Sequence, residues 1–419
     1  MRNRALGVLL LLLLCACGER EGSVPTLTVS GSAVGAEGEV LSRQIRRFMA
    51  ENPGLRVTVQ RVPDDATQRH QLYVQWLNAH VGTPDVLQLD VVWTPEFAAA
   101  GWILPLDRFS PGSSDFFPAS LAANTWQGKL YALPWFMDVG MLYWRTDLVA
   151  APPGSLDELT ALARRGQAAG PRYGIVWQGA RYEGIVTVFL EILGGFGGRI
   201  LTPSGGVAVD SPQAVAALAY LKGQIASGLA PPEVLTWHEE ETRFAFQNGN
   251  TVFLRNWPYA WALLGKPGES KVAGRFAIAP MPAAPGGEPT AALGGAQLAI
   301  NAYSRHPEAA FRLISYLIAP ERMLERARVV GQYPARRSVY RDPRLGEALG
   351  ADPAAILAIV EQARARPVTP VWTELSEILQ IHLHRALAGQ TGTAAALKEA
   401  RREMEAVLER SGLAPEENP

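Results

Sequence analysis

Aromatic rings next to single charged or amide side chains form four groups in this sequence. Each group falls at a predicted strand end or turn: Trp93 beside Asp90, Trp135 and Phe136 beside Asp138, Trp257 and Tyr259 beside Asn256, and Trp372 near Arg366. An aromatic face offers flat apolar area that suits the C–H face of a sugar ring. Carboxylates and guanidinium groups supply charge-assisted hydrogen bonds to hydroxyls. Together these residues predict a sugar-binding site.

The stretch TVFLRNWPYAW, residues 251–261, holds four aromatic rings. Phe253 alternates within a predicted strand and Trp261 lies a turn into a predicted helix, so both are expected to pack. Trp257 precedes a proline, which biases it towards an extended conformation at the start of that helix. Trp257 is therefore the predicted stacking residue, and Tyr259 is a lesser candidate.

Packing in the core is the competing interpretation for every one of these rings. We adopt it for Trp102, Trp126 and Trp177, which have no acidic or basic neighbour. The chain of 419 residues is 48% hydrophobic, which is ample for a core and for two or more domains. Its formal net charge of -1 provides no basic surface for nucleic acid and favours a neutral ligand.

The signatures of common enzyme classes are missing from the sequence. It has no G-x-x-x-x-G-K-[ST] loop, no G-x-S-x-G motif and no H-E-x-x-H motif. Its histidines are scattered, and His382 and His384 would point to different faces of a helix, so no metal or cofactor is expected. We therefore expect a binding protein and not an enzyme. One alternative stays open: Asp90 and Asp138 would suit an exported glycosidase acting on α-glucosides.

Short β-rich runs alternate with helical patterns, which indicates an α/β fold. Residues 27–31 and 55–62 flank a helical pattern and predict a βαβ opening, and residues 85–90 predict the third strand. Asp90 stands at the carboxyl end of that strand. In open α/β sheets this end is where ligands bind.

Two further segments are predicted to cross between lobes. Residues 129–149 are too apolar for a surface loop, while Pro134 argues against a continuous central strand. We therefore expect an extended crossing segment there. Residues 276–304 have the pattern of a strand, a Pro/Gly loop and a second strand, which predicts another crossing.

The N-terminus has the pattern of a secretory signal, with two arginines, an apolar run and a small-residue site. The run is shorter than the about 20 residues that a membrane-spanning helix needs. Its Leu-Cys-Ala-Cys ending resembles the lipobox of bacterial lipoproteins, which implies that residues 1–16 are removed and that Cys17 is lipidated. Residues 17–26 then form a tether. The protein is expected to be exported and lipid-anchored at the membrane, on the periplasmic or cell-surface side.

The chain resembles the bacterial extracellular solute-binding proteins of ABC sugar importers, and most of all their trehalose/maltose-binding branch. The matching segments occur in the same order: the lipobox, the LD after the third strand, KLYALPWFMDVGMLYWRTDL, YGIVWQGARYEG, FAFQNGNTVFLRNWPYAW, LGGAQLAINAYS and ARPVTPVWTELSEILQIHLHRALAGQ. RNWPYAW and RPVTP followed by an aromatic residue are the more specific segments.

This resemblance implies an α/β, two-lobe periplasmic-binding-protein fold with a multi-crossing hinge. Lobe I is then 27–138 plus about 296–340, and lobe II is 139–295 plus about 341–412. An α-linked disaccharide would be held between the lobes, and hinge closure would present it to the membrane subunits of an ABC permease. The protein is expected to be a monomer. A surface adhesin for larger glycans is a further candidate function.

The resemblance also implies roles for single residues. Glu37, Arg69 and Asp90 match first-lobe positions that bond sugar hydroxyls, and Asp138 matches the acidic residue at the first crossing. The other matches are a stacking tryptophan, a glycine whose backbone meets the ligand and the arginine before Pro-Val-x-Pro. The full set of predicted ligand contacts is Glu37, Arg69, Asp90, Phe136, Asp138, Trp257, Tyr259, Gly295, Arg366 and Trp372.

Three positions depart from the pattern of the relatives. Phe136 stands where they often carry a tyrosine, Ala296 where they carry a tryptophan, and Trp372 near where they carry a tyrosine. A ring lost at position 296 would open one subsite, and a roomier pocket with fewer directional bonds discriminates less. We therefore expect tolerance of several α-glucosides, such as trehalose, maltose, sucrose or an isomer.

Overall fold

The structure of the protein is a computed structural model that describes residues 24–31, 35–63 and 66–414. The predicted signal peptide, the predicted lipidation site Cys17 and most of the predicted tether lie outside the described residues. Among the helices of the described part, none is long and apolar enough to cross a membrane.

Strands and helices alternate along the described chain, as the sequence predicts. The strands are β1 (Thr26–Gly31), β2 (Arg56–Arg61), β3 (Val86–Asp90), β4 (Thr125–Trp126), β5 (Lys129–Leu130), β6 (Ala132–Val139), β7 (Met141–Arg145), β8 (Tyr173–Val176), β9 (Thr251–Asn256), β10 (Phe276–Ala279), β11 (Ala291–Ile300), β12 (Tyr333–Pro334) and β13 (Ala363–Arg364). The helices are α1 (Gly35–Glu51), α2 (Ala66–Asn78), α3 (Thr94–Ala99), α4 (Pro118–Ala123), α5 (Leu156–Ala168), α6 (Glu183–Gly195), α7 (Pro212–Ala226), α8 (Glu239–Gln247), α9 (Tyr259–Leu264), α10 (Pro307–Leu317), α11 (Pro320–Val330), α12 (Arg344–Leu349), α13 (Pro353–Val360), α14 (Trp372–Leu387) and α15 (Thr393–Arg410). Short 3-10 helices lie at Asp107–Phe109, Pro232–Thr236 and Arg337–Arg341.

The larger sheet has the strand order β12-β6-β11-β3-β1-β2, and β13 pairs with the start of β11. β1 pairs in parallel with β2 and with β3, which confirms the predicted βαβ opening. β11 runs antiparallel between β3 and β6, so distant parts of the chain become neighbours. Asp90 is the last residue of β3, as predicted, and β11 passes beside it.

The expectation that Pro134 interrupts the strand is wrong. β6 runs unbroken through Pro134 and is flanked by β12 and β11. β12 pairs only with Phe136 and Met137, so it ends before it reaches the proline. On the other side, the register of β11 shifts between Ala296 and Gln297. The missing N–H of a proline is tolerated at such an irregularity.

The smaller sheet has the strand order β10-β7-β9-β8. Gly140 joins β6 of the larger sheet to β7 of the smaller one, and residues 280–290 lead from β10 back to β11. These are the two crossings that the sequence predicts. The chain crosses a third time after β13, because α14 packs on α6 and α7, which lie between β8 and β9 in chain order.

The two sheets define the two lobes. α1 and α10 pack with α11 beside the larger sheet, while α5 packs on β8 and β9 of the smaller sheet. α12 packs on α11, whereas α14 and α15 pack on α7. Because α12 contacts lobe I elements and α14 contacts lobe II elements, the exact bounds within 341–412 stay a prediction.

Most buried apolar side chains form one cluster that continues through both lobes, and a smaller cluster lies beneath β3. Trp177 belongs to the larger cluster, and its Nε1 donates to Oε1 of Gln224 at 2.7 Å, which confirms its assignment to the core. Trp102 and Trp126 are partly buried and pack against the smaller cluster. Apolar packing is therefore continuous from one lobe to the other.

Candidate ligand-binding site

Three side chains of the larger sheet share one face beside the crossings. Asp90 of β3 and Phe136 of β6 both lie opposite Ala296 of β11, on its two sides. Asp138 lies opposite Gly294, two residues away on β11. Residues that are opposite each other, or two apart on one strand, point to the same face of a sheet. Asp90, Phe136 and Asp138 therefore project on one side.

Asp138 has an unusual environment for an aspartate. Burial, followed by the charges of Glu37 and Asp90, raises the pKa of Asp138 to about 7, and Arg326 opposes the rise. The side chain therefore changes charge near neutral pH. Three carboxylates this close to one another favour an occupant that donates hydrogen bonds, and hydroxyl groups do so. We call Glu37, Asp90 and Asp138 the first wall of the site.

A buried arginine lies behind the first wall. Arg326 of α11 donates from Nε and Nη2 to Oε1 of Gln332, at 2.8 and 2.5 Å. Nε2 of Gln332 in turn donates to Oε1 of Glu37 at 2.5 Å. The guanidinium carbon stands 4.0 Å from the ring centroid of Trp135. Burial lowers the pKa of Arg326 to about 10, against the opposing charges of Glu37 and Asp138, so these carboxylates balance its charge.

Arg366 joins the two lobes at the site. Its Nη2 donates to Oδ1 of Asp90 at 3.3 Å, and its Nη1 donates to Oε1 of Glu183 at 2.7 Å. Asp90 ends a strand of the larger sheet, and Glu183 begins α6 of lobe II. Burial disfavours the charged guanidinium, but Asp90 and Glu183 together raise the pKa of Arg366 above its ordinary value. Arg366 therefore stays charged and ties the two carboxylates together.

Trp372 contacts the same glutamate. Its Nε1 donates to Oε1 of Glu183 at 3.1 Å, and only 2% of the residue is exposed. Ser376, one turn later on α14, also donates to Glu183. The ring packs in the core and its N–H is engaged, and a ligand contact at Trp372 stays a prediction. Trp372 helps to hold Glu183 against Arg366.

Trp257 lies at the end of β9, beside the second crossing. The guanidinium carbon of Arg255 stands 4.0 Å from its ring centroid, and its Nε1 donates to Oε1 of Glu239 at 3.2 Å. A Cβ placed on Gly294 would lie 3.3 Å from Cζ3 of Trp257 and 3.3 Å from Cβ of Asp138. The ring therefore reaches the first wall across a glycine, and it remains partly exposed.

Tyr259 and Gly295 lie close to this ring. The hydroxyl of Tyr259 donates to Oε1 of Glu240 at 2.7 Å, and the residue is partly exposed. Gly295 has a φ of 101°, and a Cβ there would overlap the carbonyl oxygen of Phe136. Position 295 therefore requires glycine, which leaves the backbone of β11 accessible. We call Trp257 and Tyr259 the second wall.

The side chains of Arg69 and Phe136 contact other protein groups next to the two walls. Nη1 of Arg69 donates to the carbonyl oxygen of Pro63 at 3.0 Å, and its guanidinium carbon is 5.2 Å from the ring centroid of Trp93. Phe136 is 6% exposed, with the guanidinium carbon of Arg326 at 5.3 Å from its ring centroid. Ligand contacts at Arg69 and Phe136 stay predictions.

Sequence reasoning missed three charged residues that support the site: Glu183, Glu239 and Arg326. Glu183 and Glu239 are each the first residue of a helix, a position that favours acidic side chains whether or not they have a function. Arg326 lies within an ordinary amphipathic helix pattern. Their partners are distant in sequence, so no local signal identifies their roles.

Two α/β lobes joined by several crossings, with a carboxylate wall facing an aromatic wall beside the hinge, define a two-lobe binding protein. Among the described residues, no group of side chains is suited to hold a metal ion. The family of bacterial extracellular solute-binding proteins matches residues 32–323, and the chain belongs to this family.

Individual relatives agree with this membership. A probable ABC transporter-binding protein of Deinococcus radiodurans is 37% identical over 367 residues, covering 83% of this chain and 86% of that protein. The structure of maltose-bound MalE3 of T. maritima has a TM-score of 0.84 at 40% identity, covering 91% of this chain and 100% of that chain. The GacH receptor of Streptomyces glaucescens has a TM-score of 0.82 at 24% identity, covering 92% and 98%. The predicted two-lobe fold is confirmed.

Proposed function

We propose that this protein is the sugar-binding component of an ABC importer, which captures an α-linked disaccharide by hinge closure and delivers it to a permease. One observation carries the proposal. A partly exposed tryptophan, Trp257, lies across a single glycine from Asp138, whose electrostatic environment includes two more carboxylates, Glu37 and Asp90. Stacking on the ring and hydrogen bonds to the carboxylates are the two interactions that a sugar requires.

The placement of the two walls on different lobes supports capture by closure. Asp90 and Asp138 of the first wall belong to the larger sheet, and Glu37 belongs to α1 of the same lobe. The second wall follows β9 of the smaller sheet. A ligand that touches both walls binds the closed form better than the open form, and so shifts the hinge towards closure. A few hydrogen bonds of ~0.5–3 kcal/mol each and one stacked ring suffice for micromolar binding or tighter, ~-8 kcal/mol.

The nature of the sugar is inferred from similarity and from the site. The T. maritima relative that is 40% identical binds maltose, an α-linked glucose disaccharide. Ala296 lies between Asp90 and Phe136, and its methyl group places no ring on the shared face. We therefore assign a range of α-glucosides to this site, namely trehalose, maltose, sucrose or an isomer, in place of strict specificity for trehalose.

Delivery requires a membrane location and membrane partners. The proposed anchor is the lipidated Cys17 at the outer side of the membrane, joined to β1 by a short tether. The proposed partners are the membrane subunits of an ABC permease, which would receive the sugar from a monomeric binding protein. The family and the D. radiodurans relative support an exported transport protein.

A thermal-shift screen of disaccharides tests the proposal. A ligand that binds only the folded state raises the melting temperature, by ~2.7 kcal/mol of added stability at a concentration of 100 Kd. We expect trehalose, maltose or sucrose to raise it and free phosphate or amino acids to leave it unchanged. No shift with any α-glucoside would refute the proposed ligand class. Binding of a long maltodextrin alone would favour the adhesin.

A glycosidase is the second candidate, because Asp138 has a pKa raised to about 7 near Asp90. A raised pKa on one carboxylate of a pair is typical of a general acid. Prolonged incubation with maltose or sucrose distinguishes the two functions. A binding protein leaves the disaccharide intact, whereas glucose released at enzyme-like rates would replace our proposal with the glycosidase.

A further inference from the structure

A fully buried ion pair lies between the second wall and the crossings. Glu191 of α6 and Arg255 of β9 both have side chains with 0% exposure. Nε of Arg255 donates to Oε2 of Glu191 at 2.8 Å, and Nη2 donates to Oε1 of the same carboxylate. Nη1 donates to Oε1 of Gln178 at 3.0 Å. The guanidinium is therefore held in one orientation by a two-pronged carboxylate contact and an amide.

The same ion pair contacts the first two of the three crossings between the lobes. Oε1 of Glu191 accepts a hydrogen bond from the backbone N–H of Ala292, the second residue of β11, at 3.2 Å. The carbonyl oxygen of Ala292 accepts from the N–H of Gly140 at 3.2 Å. A Cβ on Gly140 would overlap Glu191 and Arg255, so the pair packs directly against the residue that joins β6 to β7.

The far side of Arg255 supports the ring of Trp257. The guanidinium carbon stands 4.0 Å from the ring centroid and covers one face of the indole. Glu239 accepts a hydrogen bond from the indole N–H at 3.2 Å, and the backbone at Gly294 of β11 lies against the ring edge. Only one face of the ring is thereby left for a ligand, and its direction depends on Arg255.

We propose that the buried Glu191–Arg255 ion pair is a positioning element that fixes the ring of Trp257 relative to the hinge. Sugar stacking and the hinge crossings are then coupled through one pair of side chains. The inference rests on the proposed sugar-binding function of Trp257 and assigns a residue, Glu191, that touches no ligand. A buried charge that loses its partner is strongly disfavoured, so loss of Glu191 would draw Arg255 off the ring towards other oxygens or water.

A double-mutant cycle on the full mature chain tests this coupling, with maltose affinity measured by calorimetry. Glu191→Gln keeps the shape of the side chain and removes its charge, and we expect ~10-fold weaker maltose binding. Trp257→Phe removes the extended stacking surface. If Glu191 acts through Trp257, adding Glu191→Gln to Trp257→Phe weakens binding by less than ~2-fold more.

Two other variants complete the design. Asp147→Asn is the matched control, because Asp147 pairs with Arg145 at the far end of β7 and touches neither crossing nor Trp257. It should leave maltose affinity unchanged. If Glu191→Gln does not fold, Arg255→Lys replaces it in the cycle, since lysine keeps the charge but lacks the planar group that stacks on the ring.

The outcomes separate this inference from the proposed function. A ~10-fold loss from Glu191→Gln in both the wild-type and the Trp257→Phe backgrounds would overturn the coupling, as would a folded Glu191→Gln protein with wild-type affinity. In either case the wild-type protein still binds maltose. A wild-type protein that binds none of maltose, trehalose and sucrose refutes the proposed function itself.

Discussion

The two walls of the site use the same elements in opposite arrangements. Behind each wall, the guanidinium carbon of a buried arginine stands 4.0 Å from the ring centroid of a tryptophan. Behind the first wall, the tryptophan, Trp135, is buried, and Glu37 and Asp138, which balance the charge of Arg326, belong to the wall itself. Behind the second wall, the carboxylate that balances Arg255, Glu191, is buried. The tryptophan, Trp257, belongs to the wall itself and is partly exposed.

The position of the carboxylate that balances each buried arginine decides what each wall contributes. A buried arginine must have a carboxylate nearby, because an uncompensated charge is costly in the interior. When the carboxylate faces the cleft, the wall binds by hydrogen bonds and responds to pH. When the carboxylate is internal, the wall offers an aromatic face whose binding is independent of pH. The second wall should therefore dominate affinity, and the first wall should dominate selectivity and pH dependence.

The largest loss of affinity is expected from Trp257→Ala. Removal of the ring takes away most of the apolar contact with the sugar, and we expect about 100-fold weaker binding, ~2.8 kcal/mol. Isothermal titration with maltose measures it. Trp76→Ala is the control, since Trp76 packs on Tyr73 in lobe I, away from both walls. Unchanged affinity in Trp257→Ala would remove the second wall from the account.

A smaller loss is expected from Arg366→Met, because Arg366 bridges Asp90 and Glu183. Without the guanidinium, two carboxylates face each other across the lobes, which opposes closure. We expect about 30-fold weaker binding, ~2 kcal/mol, and a lower melting temperature. Arg344→Met, which changes an exposed arginine paired with Asp342, should alter neither. If Arg366→Met and Arg344→Met give the same affinity and melting temperature, Arg366 does not join the two lobes.

A several-fold effect of pH is expected, and it should arise from the first wall alone. Because the folded-state pKa of Asp138 is raised from 3.8 to about 7, the folded state holds the proton more tightly than the unfolded state. The contribution of Asp138 to the free energy of unfolding therefore falls by ~2–4 kcal/mol as pH rises from about 4 to about 7. The ionised carboxylate is the stronger acceptor, so sugar affinity should rise ~3–5-fold from pH 6 to pH 8.

Asp138→Asn should remove the rise in sugar affinity, measured by calorimetry, and should remove the Asp138 contribution to the pH dependence of denaturant unfolding. Asp342→Asn is the control, because Asp342 lies in a surface ion pair with Arg344, remote in sequence from both walls. Its pH profile between 6 and 8 should match that of the wild type. A rise in sugar affinity with pH that persists in Asp138→Asn would assign the titration to another group and weaken the contrast between the walls.

The smallest change in affinity for the best-bound sugar is expected from Ala296→Trp. Ala296 lies between Asp90 and Phe136, so a ring there would project onto the face that these two residues share. We expect the ratio of affinities for trehalose, maltose and sucrose to change by ~3–10-fold, with less change in the best affinity. Competition titrations with the three sugars measure the ratio. Equal ratios in both proteins would show that position 296 is not near the ligand.

The sequence predicts those parts of the molecule that depend on local patterns. Asp90 at the end of β3 follows from a short apolar run and its last residue. Trp257 follows from a strand, a proline and a helix in succession. The crossings follow from apolar segments interrupted by Gly and Pro. In each case neighbouring residues alone decide the conformation.

Features that depend on distant residues could not be predicted in this way. The Glu191–Arg255 pair and the Arg366–Glu183 pair join positions 64 and 183 residues apart. Glu191 did carry one usable signal, since it is a lone charge in the apolar run of α6, and a buried charge requires a partner. The strand through Pro134 is not predictable either, because the register of β6 is set by its tertiary contacts with β11.

We propose that the two walls together hold an α-linked disaccharide between the lobes. Isothermal titration of maltose, trehalose and sucrose into the wild-type protein at pH 7.5 tests it most directly. We predict binding of one sugar per protein, with a Kd of about 1 µM or lower for at least one of the three. No measurable heat with any of them at millimolar concentration would contradict the account.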